Sequence, residues 1–207
     1  MLEYTIESEV IAQGYETVCG VDEAGRGPLC GPVTAAAVIL PQGLVIEGLN
    51  DSKKISEKNR EKLYDIITRE AIAWSVCHAS VEEINGTDIL SASLLAMRRA
   101  IDSLQIKPSF ALIDGNVSRG FTLPVRTVVH GDAISPSIAA ASILAKVSRD
   151  RICYELDRAY PEYGIAKHKG YATKEHMDAL RKYGPAPIYR TKFIRFLDKE
   201  KNRIGYD

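Results

Sequence analysis

Five short apolar runs, none longer than ten residues, do most to limit what this chain can fold into. They lie at 17–22 (TVCGVD), 33–40 (VTAAAVIL), 71–80 (AIAWSVCHAS), 110–114 (FALID) and 125–129 (VRTVV), and they mix small, β-branched and aromatic residues between Gly/Pro-rich breaks. Each is too short to be a stable helix on its own, so each reads as a strand. The first two are joined by a Gly/Pro-rich connection and read as a hairpin. Helical patterns fall between and after the later runs. One spans 56–69 with Ser56 as its cap, another 88–104 behind Asp88, and a third 135–160 with Pro136 in its first turn. Two more are expected at 173–183, opened by Thr173, and at 191–201. Strands interleaved with helices in this order predict an α/β fold with a mixed sheet rather than a purely parallel one.

A chain of 207 residues is expected to form one domain around one core. With 45% hydrophobic and 26% charged residues it has the composition of a globular protein, which excludes disordered and fibrous classes. The four cysteines, Cys19, Cys30, Cys77 and Cys153, form no C-x-x-C pair, so reduced thiols are expected rather than a zinc knuckle or disulfide framework. The acidic start MLEYTIESEV lacks the pattern of a secretory signal, and no apolar run approaches the ~20 residues that span a bilayer. A cytoplasmic location is the expectation. Net charge is zero, but it is unevenly spread: residues 146–207 carry 15 Lys and Arg against 9 Asp and Glu, while residues 1–145 carry 12 against 18. A basic final third could steer a phosphate backbone toward an acidic remainder, although solvated basic helices alone would give the same count.

The acidic residues have a more specific distribution. In CGVDEAGRGPLCGPV, residues 19–33, an apolar run ends in Asp22 and Glu23, followed by Arg26 between Gly25 and Gly27. Asp114 closes the fourth run, and Asp132 follows the fifth within three residues. Loops beyond strand ends are where a sheet brings distant side chains together. Carboxylates gathered there repel one another, and hard divalent cations such as Mg2+ or Mn2+ relieve that repulsion. A single Asp at a strand end is more often a turn former or a helix cap, so this reading needs all four to converge. It also meets a geometric difficulty, because neighbours on a regular strand point to opposite faces. Either the strand breaks at Asp22–Glu23, which Gly25 and Gly27 would favour, or Glu23 acts in another way. The Gly spacing fits neither the dinucleotide fingerprint nor a P-loop. The four histidines lack zinc-ligand spacing, and two of them could instead form an acid–base pair for metal-independent RNA cleavage.

Five stretches, GVDEAGRGPLCGPV, GLNDSKKISEKNREKLY, LIDGN, GDAISPSIAAASILAKVSRDR and YGIAKHKGYATKEH, together resemble bacterial ribonuclease HII, the type 2 ribonuclease H family. The resemblance runs in order from about Val18 to Phe193. It implies an RNase H-like fold, with a five-stranded mixed sheet flanked by helices. Residues 1–207 would form a single catalytic domain in which the helical part 162–207 completes the substrate groove. It further implies an endonuclease that cuts the RNA strand of RNA–DNA hybrids and incises 5′ of single ribonucleotides in duplex DNA. Such cutting leaves a 3′-hydroxyl and a 5′-phosphate and serves ribonucleotide excision repair.

Carried over residue by residue, the family's acidic site falls on Asp22, Glu23, Asp114 and Asp132. Asp22, Glu23 and Asp114 would hold the metals, two Mg2+ or Mn2+ ions being expected with substrate, and Asp132 would assist them. The G-R-G motif falls on Gly25, Arg26 and Gly27, and the substrate-sensing tyrosine on Tyr171. Backbone exposed by glycine can bond the 2′-hydroxyl that distinguishes RNA from DNA. Lys53, Lys54, Lys146 and Arg149 are candidate phosphate contacts. The chain departs from the family at His130 and Ile134, where relatives often carry lysine, and in YRTKF, where HRRSF is usual. A monomer is expected. A sliding-clamp partner is possible, but FIRFLDKE near the end has no clear clamp-binding pattern.

Overall fold

The apolar run at the second position is sandwiched. In the computed structural model, which describes residues 2–198, β2 (Val33–Ile39) is buried at every residue because helices cover both faces of the sheet. Its neighbours are β1 (Val18–Ala24) and β3 (Ala73–Ala79), both antiparallel to it. On the other side of β1 lie β4 (Phe110–Asp114) and β5 (Val125–Val128), paired in parallel. The order is β3-β2-β1-β4-β5, a five-stranded mixed sheet of the expected class.

The helices are α1 (Thr5–Ala12), α2 (Glu57–Glu70), α3 (Val81–Gly86), α4 (Ile89–Asp102), α5 (Pro136–Ala159), α6 (Ile165–His168) and α7 (Lys174–Tyr183). α4 covers one face, where Ala92, Ala96, Met97 and Ala100 meet Cys19, Val21, Ala35 and Ile113. α5 covers the other, where Ala139, Ala140, Ile143 and Leu144 meet Ala36 and Val38, with Leu63 and Ile67 of α2 behind them. Its small residues let the helix lie almost on the backbone of β1. A Cβ on Gly20 would fall 2.1 Å from the Ser137 carbonyl carbon. A third cluster, including Leu29, Cys153, Tyr163, Ile165, Leu180 and Tyr189, joins the C-terminal helices to the loop that follows β1.

Three helices, α1, α3 and the four-residue α6, were not expected from the apolar pattern. α1 packs Ile6 and Val10 against Val18, Phe110 and Ile138, and its Glu7 Oε1 accepts hydrogen bonds from Ser135 Oγ at 2.5 Å, Ser137 Oγ at 2.7 Å and Ser137 N–H at 3.2 Å. α3 opens with a capping box between Ser80 and Glu83, a signature readable as S-x-x-E. The helix expected at 191–201 begins differently, as a single 3-10 turn at Thr191–Phe193, and its end lies outside the described residues. Residues 196–198 are helical. No helix among the described residues is long and apolar enough to cross a membrane.

Candidate active site

Because β1, β4 and β5 run parallel, their carboxyl ends share one end of the sheet, and the four acids lie there. β1 and β4 are paired only as far as Val21 and Ile113. The next residues, Asp22 and Asp114, flank the point where the two strands part. Asp22 is buried, and its Oδ1 accepts the Glu23 N–H at 2.6 Å. Asp114 Oδ1 accepts the Gly131 N–H at 2.7 Å, which ties the end of β4 to the turn after β5. That turn, a 3-10 turn at Gly131–Ala133, carries the buried Asp132. A Cβ on Gly131 would meet Ile138 Cδ1 at 2.6 Å and Asp114 Oδ1 at 3.3 Å.

The strand does not break at Asp22–Glu23. The ladder with β2 continues without a break through Asp22↔Ala36 and Glu23↔Ala35 to Ala24↔Thr34. Asp22 therefore faces α5 with Gly20, and Glu23 emerges on the α4 side, where it also lines a small recess with Leu90, Leu94 and Asp114. Its longer side chain nevertheless borders the same cleft as Asp22, where it can reach around the strand end. The break comes later, at Gly25, whose φ is +100°.

The acids strain against one another. Burial, and then the charges of Glu23 and Asp114, hold the Asp22 carboxyl well above the usual carboxylate range. Burial raises Glu23 as well, although Arg26 NH1, 3.3 Å from Glu23 Oε1, works against the rise. Asp132 is raised by burial and by Asp51 and Asp114, while Lys53 Nζ stands 3.6 Å from its Oδ2. Burial would lower the Lys53 ammonium, but Asp132 and Asp51 outweigh it and raise it. Among the described residues, no three carboxylate, thiol or imidazole groups are already closed into a metal cage. Backbone amides, Lys53 and Arg26 instead share the acids between them. The donor set still suits a hard divalent cation: oxygen ligands, desolvated, and in excess of the positive charge beside them.

The cleft measures about 230 Å3. Besides the acids Asp22, Glu23 and Asp114, it is bordered by Gly25, Arg26 and Gly27, by Lys53, Lys146 and Arg149, and by Tyr171. A somewhat larger cavity, about 260 Å3, lies around Glu7 and Val18 at the opposite end of β1, away from the acids. Tyr171 is half exposed and rests against Gly27, where a Cβ would lie 3.2 Å from its Cε1.

The basic residues divide. Lys53 reaches the acids with its side chain 81% exposed. Lys146 borders the cleft but donates to the buried Asp150 Oδ1 at 2.6 Å. Lys54 is exposed and is not among the residues bordering the cleft. Arg149 also borders the cleft, but from beneath. It is 2% exposed, and its NH1 and NH2 donate to the carbonyls of Lys169 at 3.0 Å and Cys30 at 3.3 Å. A Cβ on Gly25 would fall 2.0 Å from Arg149 Nε, so the guanidinium lies directly beneath that glycine. NH1 and NH2 are thus committed to two loops, while Nε is buried with no hydrogen-bond partner among the described residues.

The histidine acid–base pair finds no support. His168 and His176 do stack, with ring centroids 4.1 Å apart, but both are buried. His168 Nδ1 accepts the Gly170 N–H, which leaves Nε2 to donate to the Tyr163 carbonyl. His176 bridges the Tyr171 carbonyl and the Tyr189 hydroxyl, both at 2.9 Å. The pair thus holds the segment that carries Tyr171. His78 bonds Thr34, and His130 is exposed in the left-handed region at φ 56°.

Sequence reasoning missed Asp51, whose Oδ1 accepts the Lys53 N–H at 2.9 Å and so sets the lysine beside Asp132. It also missed Arg190, which is fully buried beneath the loop after β1. Burial, and the neighbouring Arg149, lower its guanidinium to about 10, so it remains charged at neutral pH. Asp51 precedes SKK as a recognisable cap, whereas nothing in IYRTKF marks its arginine as buried.

Known proteins supply an independent comparison. The family model of ribonuclease HII matches residues 19–196. Ribonuclease HII of Caulobacter vibrioides (strain NA1000 / CB15N) is 56% identical over 180 residues, covering 87% of this chain and 85% of that protein. The ribonuclease H2 of Pyrococcus horikoshii OT3 superposes with a TM-score of 0.77 at 27% identity, over 92% of this chain and all of that one. A chain from the PCNA:RNase HII complex of Archaeoglobus fulgidus superposes with a TM-score of 0.71 at 27% identity, over 86% of this chain and 95% of that one. The match in sequence over nearly the whole described chain, joined to the match in fold, means that this chain belongs to the ribonuclease HII family and is a ribonuclease H, a hydrolase acting on the RNA strand of RNA–DNA hybrids.

Proposed function

We propose that the protein incises duplex DNA 5′ of a single embedded ribonucleotide as well as cutting RNA–DNA hybrids, leaving a 3′-hydroxyl and a 5′-phosphate. The observation that carries this reading is the junction of two devices at one strand end. Desolvated carboxylates border a cleft whose other wall is the Gly25–Gly27 loop, exposed at Arg26 and Gly27, with Tyr171 against it. In this reading Asp22, Glu23 and Asp114 hold Mg2+ or Mn2+, two ions with substrate, and Asp132 is the fourth acid. When bound there, such cations supply charge at the scissile phosphate and activation of the attacking water.

The chain's own residues do the rest. The Asp22 carboxylate, fixed by the Glu23 N–H, and the Asp114 carboxylate, fixed by the Gly131 N–H, present oxygens whose positions are set before substrate arrives. Loop amides at residues 25–27 donate to the 2′-hydroxyl, and the Tyr171 ring packs on the adjoining sugar, selecting a ribonucleotide followed by a deoxyribonucleotide. Lys53 is the basic residue best placed to meet a phosphate near the acids, with Lys146 beside it. The domain would act as one unit, residues 162–207 completing the groove, as a cytoplasmic monomer in ribonucleotide excision repair. A sliding clamp is a further candidate partner, suggested by the archaeal complex alone.

Duplex DNA carrying one ribonucleotide, incubated with the protein and Mg2+ or Mn2+ beside an all-DNA duplex, tests the reading. Cutting confined to the 5′ side of the ribonucleotide is expected, and equal cutting of both duplexes would sink it. Asp114→Asn should abolish cleavage with the fold retained, and undiminished activity would remove Asp114 from the metal site.

A further inference from the structure

Arg190 spends all five of its guanidinium N–H groups on one loop. Nε donates to the Gly31 carbonyl at 2.9 Å, NH1 to those of Arg26 at 3.0 Å and Pro28 at 2.8 Å, and NH2 to those of Gly25 at 2.7 Å and Pro32 at 3.1 Å. Burying a guanidinium with no carboxylate partner is costly, and five carbonyl dipoles aimed at it are what compensates. That arrangement dictates where the loop's amides point. In a trans peptide the C=O of one residue and the N–H of the next lie on opposite sides of the chain. With the Gly25 and Arg26 carbonyls turned inward to Arg190, the N–H groups of Arg26 and Gly27 must point away from it. The same logic at Pro28 can be checked: its carbonyl turns inward, and the Leu29 N–H does point the other way, donating at 2.8 Å to the Gly170 carbonyl beside Tyr171. Neither the Arg26 nor the Gly27 N–H has an acceptor among the described residues.

We propose that Arg190 is a positioning residue for ribonucleotide selection: it holds the loop carbonyls inward so that two backbone donors, at Arg26 and Gly27, are set toward the cleft before substrate binds. The Arg190 N–H, donating to the Leu29 carbonyl at 2.9 Å, and the Gly31 N–H, donating to the Ile188 carbonyl at 2.9 Å, fix the arginine's own segment to the same loop. Lysine cannot substitute, because a single ammonium has three donors and no planar fork to span five carbonyls. The inference rests on the reading that residues 25–27 contact the 2′-hydroxyl.

The test compares wild type, Arg190→Lys and Tyr171→Ala, each shown to be folded by circular dichroism, on the single-ribonucleotide duplex. Arg190→Lys is expected to lower kcat/KM for ribonucleotide incision on the order of 10²-fold, as a displacement of about 1 Å would, while its affinity for an all-DNA duplex stays within about twofold. A role in stability alone would lower the active fraction and leave kcat/KM per folded molecule unchanged, and that result would overturn the proposal. If wild type does not prefer the ribonucleotide, the functional reading fails. If wild type prefers it, Tyr171→Ala loses the preference and Arg190→Lys keeps it, only the role of Arg190 fails. Should Arg190→Lys not fold, backbone relaxation of substrate-free wild type decides: order parameters near ~0.85 at the Arg26 and Gly27 amides are expected, and values below ~0.6 would overturn a preset loop.

Discussion

At the scale of single residues, the acids are placed at the expense of stability. A carboxyl whose pKa in the folded state lies above its unfolded value contributes stability below the unfolded pKa and loses it as pH rises through the folded one. Asp22 is shifted in this direction, as are Glu23 and Asp132, so the metal-free protein should weaken as pH rises from the unfolded carboxylate range toward neutrality. Asp22→Asn removes a buried carboxylate yet keeps an oxygen to accept the Glu23 N–H. It should therefore stabilise the metal-free protein at pH 8 by about 1–3 kcal/mol, with the gain vanishing in acid, while abolishing cleavage. Denaturant unfolding in EDTA at the two pH values measures this, and a gain independent of pH would show that repulsion is not the cause. The glycines give a second contrast. Gly25→Ala combines a positive φ with a Cβ 2.0 Å from the buried Arg149, and should cost on the order of 3 kcal/mol or more. At Gly27 the obstacle is the movable, half-exposed ring of Tyr171, so Gly27→Ala should cost less than about 1 kcal/mol but displace that ring. Thermal unfolding and ribonucleotide incision of both variants separate the two effects.

At the scale of elements, the sheet was legible where side-chain character and geometry agree. The five strands lie where the apolar runs lie, and Asp88, Ser56 and Thr173 cap their helices through side-chain oxygens as their residue types predict. What could not be read was how far β1 runs. Two adjacent carboxylates look like the end of a strand, yet the ladder with β2 carries both, because pairing depends on backbone groups and β2 supplies them. Only β4 stops short, and it is that one-sided ending that opens the cleft. α1 was hidden for a different reason: besides Ile6 and Val10 in the core, its attachment includes the Glu7 carboxylate against the N-terminus of α5, a contact across more than 120 residues that leaves no local pattern. The tightest element contact is the crossing of β1 and α5 at Gly20. There a Cβ would meet backbone rather than a flexible side chain, so neither element can yield alone. Gly20→Ala should cost on the order of 3 kcal/mol and shift the carboxyl end of β1, which carries Asp22. A lower denaturation midpoint together with lost activity in the folded fraction is the expected outcome; full activity in the folded fraction would mean that the helix moves and the strand does not.

At the scale of the whole molecule, the uneven charge seen in the sequence takes on a partial meaning. Two of the basic residues from 146 onward, Arg149 and Arg190, are buried and committed to carbonyls. The local excess of positive charge therefore overstates what a phosphate backbone would meet, and counting charges could not reveal this because burial is invisible to a count. Lys53 comes from the acidic part of the chain and yet is the exposed ammonium nearest the carboxylates. If it contacts a phosphate, its removal should act through counterion release, lowering the steepness of salt dependence by ~0.9 in log Kd per log salt for duplex DNA. Arg149→Gln, by contrast, should change the fit of the loops and leave that slope unaltered, since a buried guanidinium releases no counterion. Titrating a ribonucleotide duplex against Asp114→Asn backgrounds of wild type, Lys53→Ala and Arg149→Gln between 50 and 200 mM salt would separate these roles. Equal slopes for all three would show that Lys53 serves the acids and not the substrate, and a shallower slope for Arg149→Gln would return that arginine to the phosphate-binding surface.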